Sequence, residues 1–391
     1  MNMNMANTSP SCAYNGFEQG PIRPPSEAYS LLIRVTRNCP WNRCAFCPVY
    51  KKTKFSLRPV EHVKKDIDLV HKYVTLVRDT TGDSKYFSQT DIAAAAERTE
   101  PGEMLAFQAA LHWTMGGMRS VFLQDADSLV IKPAHLVEIL QHLKKCFPWA
   151  ERITSYARSH TIARIKDPDL KAIAEAGLNR IHIGLESGSD EVLERVNKGV
   201  TKAIHIKAGL KVKAAGMELS EYVIPGLGGR TLWETHALET ADALNRINPD
   251  FIRLRTLAIP NRLELNKDYR EGQFEKSSDL EIVKEILLFI ENLEGITGIV
   301  KSDHILNLLQ ELEGKLPEDK AAMIGLLQSF LEMEPQQRCL FQVGRRMGVF
   351  TSLSDMNIPG KLAVARAVCQ QHGVTPENVD KLIDEAMKRF V

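Results

Sequence analysis

From residue 29 onward, short apolar runs alternate with longer stretches in which apolar residues recur every three or four positions. The runs at 31–35, 120–123, 153–156, 180–184, 219–224 and 251–257 are built largely from β-branched, aromatic and Leu residues and predict strands. Val63, Ile67, Val70, Val74 and Val77 form one stripe of a helix. Further helices are expected at 103–115, 133–145, 168–175, 189–197, 202–214 and 231–246, with stops near Gly116-Gly117 and at Gly177. Strands alternating with helices require a parallel sheet with right-handed crossovers. A doubly wound sheet and an incomplete (β/α) barrel both satisfy that pattern. In either one, chemistry belongs at the C-terminal ends of the strands.

The flanks read differently. Residues 1–28 are rich in Asn, Pro, Ser and Gly, carry no apolar period, and are expected to form a disordered tail. After Pro260, a polar, loop-like stretch at 261–276 leads to helices expected at 278–294, 304–313, 317–333, 360–371 and 376–389. We therefore expect a 1–28 tail, a 29–270 α/β core and a 271–391 helical C-terminal region. Charge narrows the partner. Lys and Arg total 50 against 49 Asp and Glu, so no broad basic surface exists for nucleic acid, and a small-molecule substrate is expected. No apolar run approaches the ~20 residues of a membrane span, and the start lacks a basic segment followed by an apolar one. No membrane partner and a cytoplasmic location are expected.

Candidate chemistry lies first in the cysteines. Of seven, Cys12, Cys146, Cys339 and Cys369 are isolated, whereas Cys39, Cys44 and Cys47 fall within nine residues in a C-x4-C-x2-C spacing. An odd count in such a chain does not suggest a disulfide framework. Three thiolates this close can serve a soft metal centre. On spacing alone three readings stand: an iron–sulfur site with one iron open to a ligand, a zinc site completed by His62 or His71 on the next helix, or unrelated thiols. Other polar residues sit at the ends of separate strands: Gln124-Asp125, Ser155, Glu186 and Gly226. Their shared position carries more weight than any one of them.

A cysteine loop directly after the first strand of a six-fold β/α series strongly resembles the radical S-adenosylmethionine superfamily, over roughly residues 29–260. The spacing holds one residue more than that family's commonest C-x3-C-x2-C. The segment Ile183-Gly184-Leu185-Glu186-Ser187-Gly188-Ser189-Asp190 resembles the branch containing oxygen-independent coproporphyrinogen oxidase and the tRNA-modifying elongator subunit. The resemblance implies a partial (β/α)6 TIM-like barrel with a helical C-terminal region. It implies Cys39, Cys44 and Cys47 as ligands of an oxygen-sensitive four-iron four-sulfur cluster whose remaining iron chelates S-adenosyl-L-methionine. One-electron reduction, by a donor such as flavodoxin or ferredoxin, would cleave that cofactor to a 5′-deoxyadenosyl radical that abstracts hydrogen from a substrate. The alternatives are a non-catalytic protein with a structural zinc and an iron–sulfur electron carrier.

The resemblance also distributes roles. Phe46 falls where the family places an aromatic ring beside the adenine; its ordinary role is packing under the loop. Gln124 and Asp125 stand where strand-end carbonyls receive the methionine amino group, with Asp127 as a second acid; turn and cap roles compete. Glu186 is suited to ribose hydroxyls, since a carboxylate accepts two hydrogen bonds, and Ser187–Asp190 doubles as a helix cap. Lys198, with Arg195 as competitor, falls where relatives carry a cation for the methionine carboxylate. Ser155 and Arg158 are candidates for ribose or carboxylate, and Gly226 for close backbone approach to adenine. Arg253 and Arg255 alternate on the last strand and point the same way; they are substrate candidates, with a rim ion pair as the simpler reading. His304 is a further substrate-pocket candidate.

Overall fold

The computed structural model describes residues 13–81 and 87–387. Its strands are β1 (Leu31–Arg34), β2 (Thr36–Arg37), β3 (Ser56–Leu57), β4 (Ser120–Gln124), β5 (Arg152–Ala157), β6 (Arg180–Glu186), β7 (Glu218–Val223), β8 (Phe251–Leu254), β9 (Ile299–Lys301) and β10 (Glu313–Lys315). The main sheet runs β1-β4-β5-β6-β7-β8-β9-β10, and β2 and β3 form a separate ribbon. Within the main sheet every pairing from β1 to β9 is parallel; β10 runs antiparallel to β9. This is the partial barrel expected, with the six core strands in chain order.

Strand alternation assigns the two faces. Leu31, Ile33, Val121, Leu123, Ile153, Ile181, Ile183, Leu219 and Ile252 pack outward into one hydrophobic core with the helices, Val60–Thr81 and Pro133–Cys146 among them. The inner face carries rings. Phe122 meets Tyr156 at 5.3 Å, Tyr156 meets His182 at 5.5 Å, and His182 meets Tyr222 at 5.5 Å between centroids. The lumen is thus a packed aromatic stack below the strand ends, not a pore.

Three expectations change. Residues 1–12, including Cys12, lie outside the described residues, but 13–28 are not a tail. They form a strap from the strand C-terminal ends to the N-terminal ends. Gln124 fixes its upper part, accepting from Gly20 N (2.8 Å) and donating to Gly20 O and Ile22 O. Glu18 pairs with Arg34, Arg37 and Arg58. Lower down, Glu27 is fully buried against Ser30, Arg152 and His182. Second, 304–313 is not a helix. Its apolar residues have helical spacing, but buried Asn307 accepts from Thr256 N and donates to Leu254 O, pinning the chain to the end of β8 as a loop that leads into β10. Third, the sheet crosses the boundary expected near 270, because β9 joins β8. Helices at Gln89–Glu97, Glu264–Arg270 and Pro335–Arg346 were not expected from the pattern.

Candidate active site

The loop after β2 carries the three cysteines and is tied at three points. The β2–β3 ribbon closes its base, pairing Thr36 with Leu57. Asn38 and Asn42 take left-handed φ values of 69° and 46°, which Asn tolerates better than most residues, and so turn the chain tightly. Ala45 N donates to Val196 O at 2.9 Å. Trp41 Nε1 donates to Asn197 O at 2.8 Å, and a Cβ at Gly199 would lie 2.3 Å from the Trp41 ring, so glycine is required there.

Cys39, Cys44 and Cys47 line a cavity of about 320 Å³ at the strand C-terminal ends, together with Phe46, Arg158, Glu186, Lys198 and Arg255. Burial pushes the Cys44 thiol up, with Lys198 pulling against it; burial likewise raises Cys47. A bound cation would reverse that balance by favouring thiolate. A second cavity of about 590 Å³ lies by Tyr269, Phe274 and Asp384, and none of the three cysteines lines it.

Glu186 sits at a register shift between β6 and β7, with φ 66°. Ser187 N bonds Leu185 O at 2.8 Å, closing a three-residue turn around it. Such a conformation is strained for a non-glycine residue and aims its carboxylate off the strand. Glu186 Oε1 accepts from Lys198 Nζ at 2.9 Å. Burial alone would lower the Lys198 ammonium, but Glu186 and Cys44 outweigh it and the pKa is raised. Gly184 makes room for the pair: a Cβ there would lie 2.1 Å from Glu186 Oε1. Lys198 Nζ also stands 5.8 Å from the Phe46 ring centroid.

The remaining candidates divide. Arg158 lines the cavity, with Nη2 donating to Lys198 O and its guanidinium 5.1 Å from the Trp41 ring. Arg195 faces away, donating to Thr231 Oγ1 and Gln273 O. Ser155 donates to Tyr156 O and is not among the cavity residues. Gln124 is committed to the strap. Asp125 is fully buried and accepts from Arg34 Nε (2.7 Å), Asn38 N (3.0 Å) and Tyr50 OH (3.0 Å). Asp127 accepts from Thr161 Oγ1, and burial pushes it up to about 7. Gly226 donates its N–H to buried Glu285 and packs near Ile282; Ile224, two residues earlier, lines the cavity.

On β8 and just beyond it, the two arginines share one acid. Arg253 Nη1 meets Asp303 Oδ2 at 2.5 Å, and Arg255 Nη1 meets Asp303 Oδ1 at 2.8 Å. Arg253 also donates to Ser220 Oγ, whereas Arg255 lies 4.8 Å over the Tyr222 ring and lines the cavity. Its Nη2 is buried without a hydrogen-bond partner. His304 is not among the cavity residues; burial, then Arg255, pushes it down to about 4. Pattern reading overlooked Gly184, Tyr50 and the strap residue Ile22, which also lines the cavity. Only Gly184 had a signal, its place two residues before Glu186. The two histidines available to complete a zinc site are elsewhere: His62 packs on Tyr14 and His71 on Phe147.

A parallel barrel with three thiols and paired charges at its strand ends is the architecture of a cofactor-dependent barrel enzyme. The family model for the radical SAM superfamily matches residues 33–241, and the chain belongs to that superfamily. The superfamily is one of enzymes whose cofactors are a four-iron four-sulfur cluster and S-adenosyl-L-methionine. A CDK5RAP1-like protein of Caenorhabditis elegans is 22% identical over 220 residues, covering 54% of this chain and 37% of that protein. A 4′-phospho-dehydrooxetanocin synthase of Priestia megaterium is 27% identical over 197 residues, covering 49% of this chain and 22% of that protein. The chain thus spans well under half the length of either curated relative. Among solved structures, coproporphyrinogen III oxidase of Escherichia coli aligns at TM-score 0.44 and 16% identity, over 67% of this chain and 52% of that one. The archaeal Elp3 of Methanocaldococcus infernus aligns at TM-score 0.40 and 15% identity, over 52% and 54%. No helix among the described residues is long and apolar enough to cross a membrane.

Proposed function

We propose that Cys39, Cys44 and Cys47 hold the cluster, that S-adenosyl-L-methionine occupies the adjoining cavity, and that the substrate is a small anionic molecule. One observation carries this reading: the three thiols and the Glu186–Lys198 pair open on the same cavity. The donor set fits, since three soft thiolates leave one iron of such a cluster for an exogenous ligand. When bound, the two cofactors supply a one-electron cleavage that yields methionine and a 5′-deoxyadenosyl radical for hydrogen abstraction.

The chain's share is binding, orientation and exclusion of water. Lys198 meets the methionine carboxylate, Glu186 holds that ammonium and accepts from ribose hydroxyls, and Phe46 borders the adenine. Arg158 adds a second cation on the same wall. The substrate anion lies against Arg255, because Asp303 balances only one of its two arginines and Arg255 Nη2 is unpartnered. A guanidinium so placed matches a carboxylate or phosphate. A flavodoxin- or ferredoxin-type protein supplies the electron.

Anaerobic reconstitution is expected to load about four irons with sulfide, and dithionite with S-adenosyl-L-methionine is expected to yield 5′-deoxyadenosine. Cys44→Ala is expected to abolish both. A chain that takes up no iron, or yields no 5′-deoxyadenosine with any reductant, overturns the reading. An Arg255→Met variant is expected to keep 5′-deoxyadenosine formation without substrate. In a metabolite screen it should lose the stimulation that anionic compounds give the unaltered enzyme.

A further inference from the structure

On the outer layer, away from the barrel mouth, a second group of metal-type ligands converges. His142 and Cys146 lie one turn apart on the helix Pro133–Cys146, and Asp68 faces them from the helix Val60–Thr81. Residues four apart on a helix share a face, so both side chains reach the same point. His142 Nε2 lies 2.7 Å from Asp68 Oδ1, and Cys146 Sγ lies 3.8 Å from each of those atoms.

These spacings can be compared with what a metal demands. Zinc bonds of about 2.3 Å to sulfur and about 2.0–2.1 Å to nitrogen or oxygen, at tetrahedral angles, give edges of about 3.6 Å to sulfur and about 3.3 Å between the lighter atoms. The two edges to sulfur are already within a few tenths of an ångström of that. The His142–Asp68 edge must open by about 0.6 Å, a side-chain rotation for an acid that is 57% exposed. The ligand set is one imidazole, one thiol and one carboxylate, which suits a borderline-soft cation rather than calcium or magnesium.

We propose that Asp68, His142 and Cys146 form a zinc-class divalent cation site that clasps the two helices. The cation replaces the Cys146 proton, which leaves to solvent, and water takes the fourth position. Thiolate and carboxylate together then neutralise the dication. The site is independent of the cysteines at the barrel mouth.

The test uses the reconstituted holoenzyme, exposed anaerobically to equimolar Zn²⁺ and then gel-filtered. One zinc per chain is expected beyond the iron, with a zinc-edge absorption spectrum giving one sulfur at about 2.3 Å among nitrogen and oxygen neighbours. His142→Ala and Cys146→Ser should each reduce zinc retention at least tenfold, with iron content unchanged. The Cys39→Ala/Cys44→Ala/Cys47→Ala chain should still take up one zinc with the same spectrum. Asp68→Asn, nearly isosteric, should weaken retention without unfolding the chain. The proposal is overturned by no retained zinc, by retention that neither His142→Ala nor Cys146→Ser alters, by a shell with no sulfur or with several, or by loss of zinc in the triple variant.

Discussion

Two strands of the barrel end beside an acid in the left-handed region, and the two acids differ in what surrounds them. Asp125 follows β4 at φ 72°, and Glu186 closes β6 at φ 66°. Each lies against a glycine that admits no side chain: a Cβ at Gly20 would be 2.4 Å from Asp125 Oδ1, and one at Gly184 would be 2.1 Å from Glu186 Oε1. Asp125 is fully buried, and three protein donors occupy its oxygens. Glu186 lines the cavity and is held by Lys198. A carboxylate whose acceptor sites the chain itself fills is a brace. One that keeps acceptor capacity toward a cavity can take a ligand. Asp125 braces a particular thing, because Asn38 and Tyr50 stand on either side of the three cysteines in sequence.

The largest effect expected of this contrast falls on Asp125. Removing one partner of a buried charged network costs about 3–5 kcal/mol, so Asp125→Ala should lower the denaturant midpoint markedly. It should also lower the iron retained after reconstitution, because the loop ends come free. Glu186→Gln should leave iron content unaltered and weaken S-adenosyl-L-methionine binding instead. Equal iron loss in the two variants would break the contrast.

The glycines sharpen it. Gly184→Ala forces Glu186 off Lys198 and should weaken cofactor binding by about thirtyfold, the loss of one charge-assisted contact at about 1.5–3 kcal/mol, with the cluster retained. Gly20→Ala presses on Asp125 from the strap side and should reduce stability by about 1–3 kcal/mol, as overpacking does. A smaller effect separates the two cations. Lys198→Met should cost about tenfold in cofactor affinity, whereas Arg195→Met should change it less than about twofold, as a substitution outside the cavity does. Equilibrium dialysis of the cofactor against reconstituted protein reads Gly184→Ala, Lys198→Met and Arg195→Met, and the urea midpoint reads Gly20→Ala.

The contrast also shows where sequence could reach and where it could not. The six strands were legible because their outward faces are mostly apolar, with Ser155 and Glu221 the buried polar exceptions, and their turns punctuated. The cysteine trio was legible by spacing. The choice between Arg195 and Lys198 was not, because it depends on one residue. The helix Asp190–Arg195 stops, Asn197 takes φ 52°, and the reversed chain carries Lys198 to the cavity while Arg195 stays by Phe274. The strap had no chance of being read from local pattern. It is held by Gln124 on its backbone and by Glu18 on three arginines, contacts that span the chain and leave no period. The stretch 304–313 misled for the converse reason, since its apolar spacing is helical but a single buried Asn307 decides its path.

The smallest effect tests the floor of the barrel, where the strap inserts a third acid. Glu27 Oε1 lies 3.4 Å from His182 Nε2, and both residues are fully buried. Burial pushes His182 down to about 4 despite the pull of Glu27, so the ring is neutral in the folded chain at pH 6. The unfolded chain gains that proton below about 6.5. His182 therefore contributes stability in full above pH 6.5 and loses it as pH falls toward 4. Buried acids held protonated, Asp127 at about 7 and Glu285 at about 8, act with the opposite sign, since their contribution is lost as pH rises. A bare stability curve hence mixes the two. The difference between unaltered protein and His182→Gln isolates one of them. Between pH 6.5 and 5.5 that difference should fall by about 1 kcal/mol, read as the shift in urea midpoint at each pH. A difference that instead grows as pH falls over that window would mean that His182 is protonated in the fold, and that Glu27 at the floor holds a charge as Glu186 does at the mouth.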